Sequence, residues 1–256
     1  MIVSHKNKFV FVKPGKTAGS SIELTLSQLC GSHDLVTKLR ARDEVSRPPC
    51  PAEIGHPKYI HVDTGDELIL QNHAPYGTAL QIFGEAIVDY DVICSERNPW
   101  EKAISSFYWK GNRRPHLPEK PRFKRFVRDG RFPQDFDVYS LYGVPVVDHV
   151  LRVESLQRDM TALLRKLEVP DDEIKVIRGA KAFTRPDHAT REEMYQKPWM
   201  IRTVAEATEA MRAFLPFTFD SREAPDYSLS GERHTVRYRF LEENQCGPEY
   251  WQRCDQ

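Results

Sequence analysis

The sequence predicts an α/β fold with a central, mainly parallel sheet flanked by helices, and two similar passages carry that prediction. Residues 8–13 (KFVFVK) are β-branched and aromatic between charged ends, as suits a short strand buried on both faces. A loop of small residues then leads to an apolar segment beginning at Ser20. Residues 90–95 (YDVICS) repeat the pattern, running through Glu96-Arg97-Asn98-Pro99 into a helix from Trp100 to about Trp109. Strand, tight turn and helix in succession favour parallel strands joined by helical crossovers.

The remaining elements follow in order. Ser20 and Ser21 supply N-caps and Gly31 a stop for the first helix. Residues 40–57 carry four prolines and scattered charges and read as a surface loop, with an edge strand at 59–62. After Asn72-His73-Ala74-Pro75 a helix should reach Phe83, with the proline in its first turn. A short basic helix is expected at 122–129, a strand at 146–153, an amphipathic helix at 155–167 and a last helix at 197–214. Residues 215–220 are expected to pack, whereas 221–256 are polar and rich in turn residues. The expected organisation is one domain over 1–220 and a C-terminal extension over 221–256, either mobile or packed on the domain.

Lys plus Arg (37) balances Asp plus Glu (37), so the net charge of +0 excludes a global attraction to nucleic acid or an anionic membrane. Any anion site must be local. Five cysteines with no C-x-x-C pair argue against a structural zinc site and a full disulfide framework, and a reducing, cytoplasmic setting is the expectation. No apolar run approaches the roughly eighteen residues of a spanning helix, so a soluble protein without membrane insertion is expected.

The first candidate site is the loop between the first strand and helix, Gly15-Lys16-Thr17-Ala18-Gly19-Ser20-Ser21. Small residues let the main chain approach an anion, the helix start offers unpaired N–H groups, and a lysine and hydroxyls complete the cradle. An ordinary βα turn with serine caps is the structural alternative. Gly15-Lys16-Thr17 also looks like the end of a phosphate-binding GxxxxGK[ST] pattern, but the glycine that would open it falls on Val10, inside the strand.

Residues 11–22 (FVKPGKTAGSSI) resemble the 5′-phosphosulfate loop of the sulfotransferases that use 3′-phosphoadenosine-5′-phosphosulfate (PAPS), with Gly15 where proline is usual and Ser20 where threonine is usual. Arg97-Asn98-Pro99 with Ser105 eight residues after the arginine, followed by Phe107 and Tyr108, resembles the same family's 3′-phosphate motif. The resemblance spans about 9–219 and implies a three-layer, P-loop-like fold in which Lys16 to Ser21 hold the donor's 5′ end and Arg97 and Ser105 its 3′-phosphate. Residues 147–156 look like a later structural strand and helix start. Residues 181–188 look like a basic loop closing over the nucleotide, which makes Lys181 and Arg185 further candidate contacts.

The expected reaction is transfer of a sulfuryl group to a hydroxyl of a carbohydrate or small-molecule acceptor. Lys16 would neutralise charge on the departing oxygen, and His73 is the preferred base, its ordinary pKa suiting proton removal at neutral pH. His33, His56, His61 and Glu23 are alternatives. No metal is expected, since the histidines show no ligand spacing. The basic stretch from Arg113 to Arg128 would suit a polysaccharide groove, with a solvated helix face as the alternative. A nucleotide kinase or other phosphotransferase and a non-catalytic nucleotide-binding protein are the rival functions.

Overall fold

The structure is a computed structural model that describes residues 1–111, 118–170 and 185–254, with the main chain alone at 110 and 111. In chain order the first half holds β1 (Ile2–Ser4), β2 (Phe9–Val12), α1 (Gly19–Leu26), β3 (Leu35–Thr37), α2 (Ala41–Glu44), β4 (Glu53–Gly55), β5 (Lys58–His61), β6 (Glu67–Ile69), α3 (Tyr76–Phe83), α4 (Glu85–Val88) and β7 (Asp91–Glu96). It continues with α5 (Pro99–Gly111), α6 (Glu119–Arg128), β8 (Ser140–Leu141), β9 (Val144–Pro145), β10 (His149–Arg152), α7 (Leu156–Lys166), α8 (Arg191–Met194), α9 (Pro198–Ala207), α10 (Glu209–Phe214), α11 (Arg233–Glu243) and β11 (Trp251–Cys254).

Six strands form a mixed central sheet in the order β10-β7-β2-β1-β3-β4. β1 pairs antiparallel with both its neighbours, and the other pairings are parallel. The expected strands at 8–13 and 90–95 are thus adjacent, in register from Phe9↔Asp91 to Val12↔Cys94. Because side chains alternate along a strand, β2 sends Val10 and Val12 into one core and Phe9 and Phe11 into another. The valine side is covered by α3, α5, α6 and α9, and the phenylalanine side by Ile22 and Leu26 of α1 with Met160 and Leu163 of α7. Helices therefore flank both faces.

Several local expectations needed correction. β1 has no counterpart in the sequence pattern, because three buried residues leave no period to read. The supposed loop at 40–57 contains α2 and β4, the latter pairing parallel with β3. Pro75 is the cap of α3 rather than part of its first turn, and the helix expected at 197–214 breaks at Thr208 into α9 and α10. The tail carries α11, whose Arg237 is fully buried and bonded to Asp148 at 2.5 Å and to the carbonyls of Val146, Val88 and Tyr90. β11 joins β5 and β6 in a second sheet. Among the described residues no helix is long and apolar enough to cross a membrane.

Candidate functional site

The two βα turns open at the same end of adjacent parallel strands, which is where ligands settle in open α/β sheets. A cavity of about 870 Å³ lies there. Its lining includes Gly15 to Ser21, Arg97, Ser105 and His73, so sequence-distant candidates meet around one space.

In the first loop, Lys16 and Ala18 sit at φ 67° and 60°, a left-handed conformation that non-glycine residues adopt at a cost. Left-handed residues within a turn gather successive N–H groups into an anion-binding concavity. Ala18 also caps α1 without a side-chain hydrogen bond, and the first residues of that helix, Gly19 to Ser21, line the cavity. Gly19 is required by packing: a Cβ there would lie 2.8 Å from the Cβ of Lys13. Thr17 Oγ1 is 2.8 Å from the Pro14 carbonyl, to which it donates, and 2.7 Å from Ser95 Oγ, so this hydroxyl ties the loop to β7.

Lys13, just before the loop, is buried and bonds Glu23 at 2.5 Å and Asn72 Oδ1 at 2.8 Å. Burial works to raise the Glu23 carboxyl, but the Met1 ammonium and Lys13 outweigh it and hold that group below its usual value. Glu23 is thereby committed to a buried ion-pair cluster that Arg47 also joins at 3.3 Å.

The second turn is built by its own residues. Asn98 Oδ1 accepts from the main-chain N–H of Trp100 (3.1 Å) and Glu101 (3.4 Å), capping α5, and Pro99 occupies the first helical position. That leaves Arg97 at the strand end, where burial depresses its guanidinium. Its terminal nitrogen reaches Glu101 at 3.3 Å, while its Nε has no partner. Ser106, fully buried and lining the same cavity, also has an unpartnered hydroxyl. Two buried polar groups without partners on one cavity wall are what a bound polar ligand would satisfy.

His73 donates from Nδ1 to the Lys13 carbonyl at 2.7 Å, which leaves Nε2 as the basic nitrogen. Burial lowers its pKa from 6.5, so the ring is neutral near pH 7. His56, by contrast, lies against Asn72, and His61 accepts main-chain N–H groups at 3.3 Å.

Arg185 stands outside the cavity lining and pairs with Glu101, the same carboxylate that holds Arg97. Lys181 lies outside the described residues, as do Arg113 and Arg114. On α6, Lys120 pairs with Glu193, and Arg125 and Arg128 with Asp129, all largely exposed.

Sequence reasoning missed Asp135, Arg40 and Trp109. Asp135 accepts the Gly15 N–H and pairs with buried Lys102 at 2.5 Å; Lys102 in turn reaches Glu96 at 2.8 Å. Burial raises the Glu96 carboxyl. Burial alone would lower the Lys102 ammonium, but Glu96 and Asp135 hold it above its usual value. Nothing local marks Asp135, which is far away in sequence. Trp109 was legible in principle, since it follows Ser105 by four residues and so shares its helix face.

No family model matches the chain, and no solved structure matches it. An uncharacterized protein of Archaeoglobus fulgidus is 31% identical over an alignment of 98 residues that covers 35% of this chain and 78% of the archaeal one. The chain belongs to that protein's family. The relative's name states no activity, so the membership fixes kinship, and the reading of function rests on the cavity.

Proposed function

We propose that the protein is a sulfotransferase that moves a sulfuryl group from PAPS to a hydroxyl of a carbohydrate or small-molecule acceptor. The observation that carries this is the meeting of Gly15–Ser21 with Arg97, Ser105 and His73 around one cavity. A single anion cradle suits many phosphates, but PAPS presents charge at two places, the 5′-phosphosulfate and the 3′-phosphate, and two separate donor groups face this space. The unpartnered Nε of Arg97 and the hydroxyl of Ser106 favour an anionic oxygen on that wall.

In this reading His73 Nε2 takes the acceptor's hydroxyl proton as that oxygen attacks sulfur. The bond from sulfur to the 5′-phosphate oxygen breaks, and adenosine 3′,5′-bisphosphate leaves. Lys16 and the N–H groups of the loop neutralise the charge gathering on the departing oxygen. The three-layer, P-loop-like architecture and a cytoplasmic setting belong to the same proposal.

Isothermal titration in EDTA tests it. Adenosine 3′,5′-bisphosphate should bind at least about tenfold more tightly than ATP, and PAPS with an acceptor panel should yield sulfated product. Tighter binding of ATP would favour a nucleotide phosphotransferase, and bisphosphate binding with no product from any acceptor a non-catalytic binding protein.

A further inference from the structure

Three cations converge on one indole at the rim of the cavity. Lys16 Nζ lies 4.4 Å from the Trp109 ring centroid, Arg40 Cζ 4.6 Å and Arg42 Cζ 4.8 Å. Any two of these charges are therefore no farther apart than their two distances added together. An indole has two faces, so three cations crowd it beyond what stacking alone accommodates. Arg42 Nε also lies 3.5 Å from the Asp43 carboxylate, which offsets part of the charge, and in a chain of net charge +0 what is left is a local concentration of positive charge. Its natural complement is an anion that draws the guanidinium groups off the ring.

The donor leaves this group to another ligand. On the sulfotransferase reading, Gly15 to Ser21 take its 5′ end, and Arg97, Ser105 and Ser106 its 3′-phosphate. Trp109 stands a helical turn beyond Ser105, and Arg40 and Arg42 are exposed, so the cluster is open to solvent. Lys16 belongs to both groups. It therefore marks where the departing oxygen and the incoming acceptor meet.

We propose that Trp109, Lys16, Arg40 and Arg42 form the acceptor subsite, and that the acceptor is an anionic saccharide carrying a carboxylate or sulfate near the hydroxyl to be sulfated. The anion pairs with the arginines, and the indole face they vacate takes the apolar face of a sugar ring. This inference rests on the sulfotransferase reading for the role of the subsite, but the binding itself is measured separately from the donor.

The test uses the full chain and unsulfated chondroitin hexasaccharide, with neutral maltohexaose as the control. The uronate-bearing probe should bind, weaken as salt rises, and bind about tenfold or more weakly in the Arg40→Gln/Arg42→Gln double variant. Trp109→Leu should weaken it too, with circular dichroism confirming that both variants fold. Adenosine 3′,5′-bisphosphate, titrated in parallel, should bind the double variant within about twofold of the parent protein. Equal affinity for the neutral sugar, or no binding of the uronate probe at millimolar concentration, overturns the proposal. So does a matching loss of bisphosphate affinity in the double variant, which would place the cations in the nucleotide subsite. Failure of the parent protein to bind the bisphosphate, with saccharide binding intact, would instead sink the donor assignment and keep the anionic subsite.

Discussion

The Nδ1 of His73 lies 2.7 Å from the main-chain carbonyl of Lys13, the residue that leads β2 into the Gly15–Ser21 loop. That bond fixes the tautomer with its lone pair on Nε2, while burial keeps the pKa below 6.5. In the proposed reaction this imidazole is the base at neutral pH. Turnover should then fall on acidification with a midpoint below 6.5, as the ring takes up a proton. His73→Ala should cost about 10²–10⁴ in kcat with little change in donor affinity. A pH–rate profile of both proteins checks this, and an acid limb that survives the substitution would assign the base elsewhere.

Lys16 lines the cavity and is only partly buried, so its work is expected to lie in the reaction rather than in stability. Lys16→Ala should lower kcat by about 10²–10³, the scale for removing one donor to developing charge, and change stability by less than about 0.5 kcal/mol. Single-turnover rates and thermal unfolding separate the two quantities. A folded variant with the parent's rate would refute the assignment.

Gly19 has no room for a side chain, since an added Cβ would meet the Lys13 Cβ at 2.8 Å. Gly19→Ala should destabilise by about 1–3 kcal/mol and weaken nucleotide binding, because Lys13 or the loop must move. Gly65→Ala makes a useful contrast. No atom crowds a Cβ at that position, and its penalty should come from φ +73° alone, leaving nucleotide binding intact. Chemical denaturation and titration of both variants check the pair.

The buried bond between Lys13 and Glu23 should show in acid stability. The folded pKa of Glu23 is depressed, so its contribution is present above the unfolded value near 4.5 and is lost as pH falls through the folded value. Glu23→Gln should cost about 3–5 kcal/mol at neutral pH, since Lys13 is left buried without its carboxylate. The variant's stability should also depend less on pH below 4.5. Denaturant melts from pH 3 to 7 would show a parallel pair of curves if Glu23 were not involved.

The two strand–turn–helix passages were legible because their signals are local. Short β-branched and aromatic runs, Asn98 and Pro99 at a helix start, and small residues after Lys16 act through neighbours a few positions away. From these came the α/β class and the candidate loop at Gly15–Ser21, whereas Arg97 and Ser105 were singled out by the resemblance of their segment to the sulfotransferases' 3′-phosphate motif. β1 and β4 were not legible, because three-residue strands are defined by the partners they pair with rather than by a pattern of their own.

The sequence by itself determined two strand–turn–helix passages, each with its candidate residues just past the end of a strand. Only the tertiary structure decided that they face one cavity, because the adjacency of β2 and β7 depends on how the whole sheet is ordered. It also decided that Asp135 reaches the Gly15 N–H across 120 positions and that Arg40 meets the Trp109 ring. Contacts of that separation leave no periodic trace in the chain. They arise when packing against a common core brings distant loops to the same edge of the sheet.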